Sequence, residues 1–318
     1  MASKRRSKII YTICIVAIII ALSAVSTVLF NPFGIERGAV ASPDDLTGRL
    51  RNAAPIAPAI VDSVRVPILM YHHFADDNLG FPGMVASGAQ FAEHLRALRD
   101  AGFTTISFNE LIAFVYDDAP LPERPVIITF DDGYLSNYEI AFPLLQRYNS
   151  IATVFIIGVT HARMYYKDTE HVLRWPRFDD EMAVRMIESG LVFIESHSYD
   201  MHQFEPWELP ELYRRGILQR QNETDAEYIK AFMTDFELSA QQIKALQGSR
   251  PVVFSYPFGI STEQSDTLLR TMGVKVTLKI TQGENIITRG DPDSLMSLHR
   301  FNVPWGTTPA ELLNMIES

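Results

Sequence analysis

Two neighbouring aspartates close an apolar run, Thr129-Phe130-Asp131-Asp132-Gly133, and about sixty residues further on the chain reads Ser196-His197-Ser198-Tyr199-Asp200-Met201-His202. Carboxylates and imidazoles are ordinary ligands of divalent cations. Asp132, His197 and His202 would supply one oxygen and two nitrogens and leave a coordination position open for water. Asp131 would then be free to act as a base. A cation that acidifies water and polarises a carbonyl suits such a set to hydrolysis.

Each piece also has a plainer reading. Asp-Asp-Gly is favoured where a strand ends and the backbone reverses, and a histidine at a strand end is commonly just a satisfied polar residue. The joint occurrence is what points to chemistry, because both segments follow short apolar runs whose carboxyl ends would share one rim of a parallel sheet. A spacing of five prevents His197 and His202 from lying on one face of a regular helix. Residues 198–201 must therefore be loop, or a helix start that turns the second imidazole back.

The elements that would position these residues alternate along the chain. Strands are expected at Val66–Tyr71, Thr104–Ser107, Val126–Phe130, Thr153–Ile157, Val192–Glu195, Val252–Tyr256, Lys275–Lys279 and Leu295–Arg300. Helices are expected at Gln90–Ala101, Asn109–Tyr116, Asn137–Tyr148, Asp179–Ser189, Asp225–Gln247, Glu263–Met272 and Pro309–Glu317. Ser261 or Thr262 opens one helix, while Gly190 and Gly273 stand where helices should stop. Strand and helix in turn imply an α/β fold with right-handed crossovers. The number of units predicts a distorted (β/α) barrel of seven or eight parallel strands, with an open doubly wound sheet as the alternative. The polar stretch Pro206–Ser249 carries one clear helix and reads as an insertion flanking the site.

The chain has 318 residues, is 47% hydrophobic and 21% charged, and can bury one large core. Its first eight residues carry Lys4, Arg5, Arg6 and Lys8 and precede an uncharged run, Ile9–Phe30, long enough to span a bilayer. The basic flank predicts a cytoplasmic N-terminus, a membrane anchor at Ile9–Phe30, a stalk over 31–62 and a catalytic domain over 63–318 outside the membrane. A cleaved signal peptide ending at Ala39-Val40-Ala41 would instead make the protein secreted. The apolar run exceeds the usual length of about 7–15 residues and the small-residue site lies far past it, which favours the anchor. Without the four basic residues the formal charge of −10 becomes −14 on the remainder, a poor surface for nucleic acid. Cys14 is the only cysteine, so the exported part must stand without internal disulfides.

The two motifs, with the strand Val252-Val253-Phe254-Ser255-Tyr256-Pro257-Phe258-Gly259, resemble those of the polysaccharide deacetylases, carbohydrate esterase family 4 or NodB homology domain. The resemblance covers roughly Val66–Val303, and the opening Leu69-Met70-Tyr71-His72-His73 with the wide histidine spacing is similar to the poly-N-acetylglucosamine deacetylase branch. It implies Asp131 as catalytic base and Asp132, His197 and His202 as ligands of Zn²⁺, or of Co²⁺, Ni²⁺ or Mn²⁺. It also implies a backbone N–H of Phe258 at the oxyanion. Many members carry an arginine where this chain has Ser255, which leaves Arg300 or Arg250 as the candidate partner of Asp131.

The family's late Leu-x-His motif, which carries the general acid, is matched only in part by Leu298-His299. Were Leu295–Arg300 a strand, His299 and Arg300 would point to opposite sides, with Arg300 the one expected inward. His299 is the candidate acid, and without it Asp131 would serve as base and then as acid. His72, His73, Tyr134 and Tyr256 are the candidate substrate contacts. Trp175, Trp207 and Trp305 fall in loops, where an indole either stacks on a sugar or covers the core.

The expected activity is removal of N-acetyl groups from N-acetylglucosamine-containing glycan, either peptidoglycan or exopolysaccharide. The alternatives are an O-acetyl esterase on cell-wall or plant polysaccharide, and a glycan-binding envelope protein with a weakened site.

Overall fold

Short apolar, β-branched runs bounded by turn residues cannot form amphipathic helices, and here they pair into one sheet. The computed structural model describes residues 62–167, 169–204 and 207–318. The eight strands are β1 (Ile68–Tyr71), β2 (Thr104–Thr105), β3 (Pro125–Asp132), β4 (Ala152–Ile156), β5 (Val192–Ser196), β6 (Val253–Ser255), β7 (Val276–Leu278) and β8 (Phe301–Asn302). All pair in parallel in the order β7-β6-β5-β4-β3-β1-β8, with β2 beside the start of β3. A parallel bridge between Leu278 and Leu298 brings the segment before β8 against β7. The sheet therefore curls into a distorted, partly closed barrel of α/β type.

The helices are α1 (Gly88–Asp100), α2 (Phe108–Tyr116), α3 (Phe142–Tyr148), α4 (Asp180–Glu188), α5 (Asp225–Gln247), α6 (Glu263–Thr271) and α7 (Pro309–Glu317). Capping boxes at Thr224 with Glu227, and at Thr308 with Glu311, start α5 and α7 by satisfying amides that have no partner inside the helix. Gly248 ends α5 at φ 80°, a left-handed conformation open to glycine at little cost.

Alternation along β3 sorts its side chains between two cores. Val126, Ile128 and Phe130 pack with Leu69, Val154 and Ile194 under Phe91 of α1, Leu145 of α3, Met186 of α4 and Leu312 of α7. Ile127 faces the other way and joins Ile68, Phe155, Val253, Val276 and Leu278. Burying each such side chain contributes roughly 1.5–3 kcal/mol, which sets the strand register firmly.

Several expectations change. The segment Leu295–Arg300 is not a strand. Pro292–Leu295 is a 3₁₀ turn capped by the Asp291 side chain, Ser297 has φ 57°, and β8 begins only at Phe301. Proline in the first turn and an aspartate cap favour that start over an extended one. An antiparallel pair, Ser63–Arg65 with Ile286–Thr288, lies outside the parallel sheet and has no counterpart in the sequence reading. The stretch read as an insertion supplies α5, the crossover between β5 and β6, whose Tyr228, Phe232 and Phe236 cover Phe254 and Tyr256. Among the described residues no helix is long and apolar enough to cross a membrane. The expected anchor Ile9–Phe30 lies outside the described residues, as does the expected stalk through residue 61.

Candidate active site

Adjacent residues of a regular strand point to opposite faces, so Asp131 and Asp132 could share a site only if the chain left β geometry between them. It does so at Asp132, where φ is 72°. The turn directs both carboxylates to the carboxyl-end rim of the sheet. A non-glycine residue in this conformation costs about 1–3 kcal/mol, and such strain concentrates at functional sites. Ser198, between the two histidines, and Phe258, after β6, show the same sign at φ 71° and 57°.

Asp131 is 1% exposed and Arg300 fully buried. Arg300 Nη1 and Nη2 donate to Asp131 Oδ1 and Oδ2, each at 2.7 Å, a bidentate fork that fixes the carboxylate plane. The remaining guanidinium hydrogens go to the Lys279 carbonyl at 2.9 Å, Ser255 Oγ at 2.9 Å and Thr129 Oγ1 at 3.3 Å. Ser255, where a motif arginine was expected, thus accepts a hydrogen bond from an arginine that arrives from the far end of the chain. Arg250 instead pairs with Glu237 on α5. Burial opposes ionisation of Asp131, but the charge of Arg300, then His197 and His72, outweighs it and holds the carboxyl below its ordinary value.

Asp132, His197 and His202 meet beside this pair, with one potential ligand atom from each, all within 4.8 Å of one another. Asp132 Oδ1 lies 3.7 Å from Nε2 of both histidines, while His197 Nε2 is 3.8 Å from Asp131 Oδ2. His197 Nδ1 lies 2.7 Å from the Ser255 carbonyl, which can only accept, so Nδ1 carries the proton and Nε2 presents a lone pair. Tyr134 donates to Asp132 Oδ2 at 2.6 Å, whereas the buried Asp132 Oδ1 has no partner. Burial pushes His202 down to about 4, so it is neutral near pH 7, the form that ligates. A buried carboxylate oxygen without a partner, set between the Nε2 atoms of two imidazoles, fits a divalent cation of the zinc type.

His72 is near enough to feel the charges of Asp131 and Asp132. Burial outweighs their pull and holds its imidazole below the ordinary value. Its buried Nδ1 has no hydrogen-bond partner. His73 points elsewhere, hydrogen-bonded to Ser136 Oγ at 2.9 Å and stacked on Trp175 at 4.5 Å. Tyr256, expected at the substrate, is fully buried behind the sheet, with its hydroxyl donating to Asp266 at 2.7 Å. The alternation that sends Ser255 to the site sends its neighbour into the packing under α5.

His299, the candidate acid, lies with Nδ1 3.0 Å from Thr281 Oγ1 and 3.2 Å from the Thr281 carbonyl. Its candidacy came from the partial Leu-x-His match, whereas Arg300, expected inward, is the residue that reaches Asp131. Phe258 is 39% exposed, and its ring lies 4.3 Å from that of His202. Trp175 and Trp207 line a cavity beside Tyr134. Trp305 does not line it, and its backbone N–H is bonded to Pro82.

Asp235 of α5 was missed by sequence reading. Its carboxylate accepts from the Tyr199 and Asp200 amides at 2.9 and 2.6 Å, clamping the loop that returns His202 to Asp132. Burial raises its pKa to about 7. An acidic residue on a long polar helix gives no signal in sequence that it serves a loop thirty-odd residues earlier. Arg177, its guanidinium 4.1 Å over the Tyr134 ring, was also missed.

The chain is similar in sequence and fold to known proteins. YxkH of Bacillus subtilis (strain 168), whose name places it among the polysaccharide deacetylases, is 26% identical over 255 residues, 80% of this chain and 77% of its own. The poly-beta-1,6-N-acetyl-D-glucosamine N-deacetylase of Escherichia coli (strain K12) is 25% identical over 226 residues, 68% of this chain but only 34% of that protein. A de-N-acetylase from Aggregatibacter actinomycetemcomitans superposes with a TM-score of 0.66 at 22% identity, covering 79% of this chain and all of that one, and so shares the fold. The sequence pattern of the polysaccharide deacetylases matches residues 118–277, half of the chain, from the loop before β3 through β7. That span includes both aspartates, both histidines and the Ser255–Phe258 turn, and with it the chain belongs to the polysaccharide deacetylase family.

Proposed function

We propose that this enzyme removes N-acetyl groups from a polymer of N-acetylglucosamine, with β-1,6-linked poly-N-acetylglucosamine as the substrate class, using a divalent cation held by Asp132, His197 and His202. The name of the Escherichia coli relative supports the polymer, and the unpaired Asp132 Oδ1 supports the cation. A bound cation would supply Lewis-acid polarisation of the acetyl carbonyl and lower the pKa of water.

The chain's own residues do the rest. Asp131, kept ionised and oriented by Arg300, accepts a proton from the attacking water as the new C–O bond forms. The Phe258 backbone N–H, on the left-handed turn beside His202, is offered to the developing oxyanion. His72, buried beside both carboxylates, takes up the proton that Asp131 has gained and passes it to the sugar nitrogen as the C–N bond breaks. Acetate and a free amine leave. His72 thus takes the role first given to His299.

The observation that carries this reading is the bidentate Arg300–Asp131 pair beside three convergent ligand atoms. Its test is acetate release from β-1,6-linked N-acetylglucosamine oligomers with added Zn²⁺ or Co²⁺, alongside Asp131→Asn, His72→Gln and a chelated control, with O-acetylated xylan in parallel. Release from the amide that requires metal and both side chains supports the proposal. Release only from the ester, or from neither substrate, overturns it.

We also propose that the catalytic domain, residues 63–318, stands outside the membrane on the Ile9–Phe30 anchor, since the basic flank and the uncharged run suit that orientation. Fractionation of cells expressing the whole chain checks this. Release of a shortened protein into the medium would contradict it.

A further inference from the structure

Asp132, His197 and His202 converge as candidate ligands, but the atoms behind their ligating ends are held unequally. His197 Nδ1 is tied to the Ser255 carbonyl at 2.7 Å, so its ring presents only Nε2. His202 Nδ1 is buried without a hydrogen-bond partner, and the ring is held by packing, 4.3 Å from Phe258 and 5.8 Å from Phe204. Asp132 differs from both, because a carboxylate can grip an ion with one oxygen or with both. Here its oxygens are made unequal. Tyr134 donates its hydroxyl to Oδ2 at 2.6 Å, whereas Oδ1, 3.7 Å from Nε2 of each histidine, has no partner.

Tyr134 is braced for that contact. It is buried, its ring meets the His73 imidazole edge-on at 5.3 Å and the Trp175 indole edge-on at 5.2 Å, and the Arg177 guanidinium lies 4.1 Å over it. The backbone is fixed as well, by an antiparallel bridge between Tyr134 and Arg177 and by the Leu135 amide donating to the Pro176 carbonyl at 2.8 Å. The turn that brings the ring back to the carboxylate runs through two left-handed residues, Asp132 at φ 72° and Gly133 at φ 68°. At Gly133 an added Cβ would lie 3.0 Å from the Ile156 side chain, so the turn is tightly packed. A hydroxyl held in this way leaves Oδ2 only by repacking its neighbours, and Oδ2 therefore stays occupied.

How many oxygens a carboxylate offers bears on which ion fits. Zn²⁺ favours low, tetrahedral coordination and suits a single carboxylate oxygen beside two imidazoles and water, whereas Mn²⁺ and Ca²⁺ favour octahedral or higher coordination, largely by oxygen. We propose that Tyr134 is a specificity-determining residue for the cation: its hydroxyl reserves Asp132 Oδ2, limits the carboxylate to one oxygen, and so biases the site towards zinc-type ions. The inference rests on the cation reading above. With the hydroxyl gone, Oδ2 would be buried against an apolar ring, and turning to the ion would be its way to regain a partner.

The test uses the full chain, freed of metal with a chelator, and Zn²⁺, Co²⁺ and Mn²⁺ as their chlorides. Any site of nitrogen and oxygen ligands prefers Zn²⁺ to Mn²⁺, so the informative quantity is the change in that preference, read by calorimetry. Tyr134→Phe, which keeps the ring, should lower the ratio of Zn²⁺ to Mn²⁺ affinity by roughly 10–100-fold, the size of effect expected when a partner behind a ligand is lost. It should also weaken the visible absorption of bound Co²⁺, which is intense when the ion is tetrahedral and faint when it is octahedral. Tyr134→Met, which removes ring and hydroxyl together, should move both readings in the same direction, and thermal melting of the metal-free proteins checks that each variant is folded. A role in packing alone would lower all three affinities together, and an unchanged ratio and Co²⁺ spectrum in the folded variants overturns the proposal while leaving the cation reading intact. A wild type that binds none of the three ions overturns both. The expected shift in ratio, without acetate release from any substrate, would uphold the role of Tyr134 and refute the deacetylation reading alone.

Discussion

Asp131 and Asp132 are neighbours in sequence and almost equally buried, yet their surroundings differ in kind. Both oxygens of Asp131 are engaged by Arg300, whose other hydrogens are in turn taken by Lys279, Ser255 and Thr129. The protein alone satisfies that half of the site. Asp132 has one oxygen on Tyr134 and the other without a protein partner, 3.7 Å from Nε2 of His197 and of His202. Buried polar groups are costly when unpaired, and a divalent cation held here would pair them. The contrast separates a side that a cation of the chain completes from a side that could hold an external one.

The largest expected effect tests that separation. Asp131→Asn should lower kcat/KM by about 10²–10⁴ while Zn²⁺ affinity, measured by calorimetry, changes little. Asp132→Asn should lose the affinity itself. If the two variants behave alike, the division between halves fails.

Arg300→Met probes the finished half. Removing one partner of a buried ion pair typically costs about 3–5 kcal/mol, because the other charge is left unpaired, and urea unfolding should show a loss of that order. The double variant Arg300→Met with Asp131→Asn should recover part of it. Loss of the Arg300 charge also lets the Asp131 pKa rise, so the acidic limb of the kcat/KM profile should move to higher pH in any folded Arg300→Met variant.

For the unfinished half the signature is stabilisation by metal. Zn²⁺ at a hundred times its dissociation constant should add about 2.7 kcal/mol to unfolding stability in the wild type and in Asp131→Asn, and nothing in Asp132→Ala or His202→Ala. A thermal shift that survives in Asp132→Ala would place the ion elsewhere.

The smallest effect concerns the clamp behind the histidine loop. Asp235 is raised to about 7 by burial, whereas an unfolded aspartate titrates near 4, so the folded state binds the extra proton between those values. Stability from this group is full below about pH 4 and is lost as pH rises towards 7, with a slope of at most about 1.4 kcal/mol per pH unit. Unfolding measured from pH 5 to pH 7 should show a shallower decline in Asp235→Asn. An unchanged slope would mean that other groups carry it.

Much of the architecture was readable along the chain because the signals are local. Thr224 with Glu227 and Thr308 with Glu311 mark where α5 and α7 start, and both helices run as read from the sequence. The apolar run ending at Asp131-Asp132 gave β3 for the same reason. Reading failed where two local preferences competed. Leu295–Arg300 has a strand's composition, but Pro292 and the Asp291 cap turn it, although Arg300 still faces inward as expected. His72 and His73 were both candidate contacts, and only the packing turns His72 to the carboxylates and His73 to Ser136 and Trp175. The same ambiguity sent Tyr256 to the wrong side.

Ligand types, their order and their spacing belong to the sequence itself, since which side chains can hold a cation is a matter of chemistry and of short-range geometry. Family membership follows from that. Tertiary structure alone decided that Asp132 would turn to φ 72° and join its neighbour, that Arg300 would be the cation on Asp131, and that Asp235 would hold the histidine loop. It also gathered Phe81, Trp175 and Trp207 into one cavity. The physical reason is common to all of these. Pairing a charge or stacking a ring depends on which groups lose their water together, and residues 169 positions apart, as Asp131 and Arg300 are, share a dry environment only after the barrel has curled.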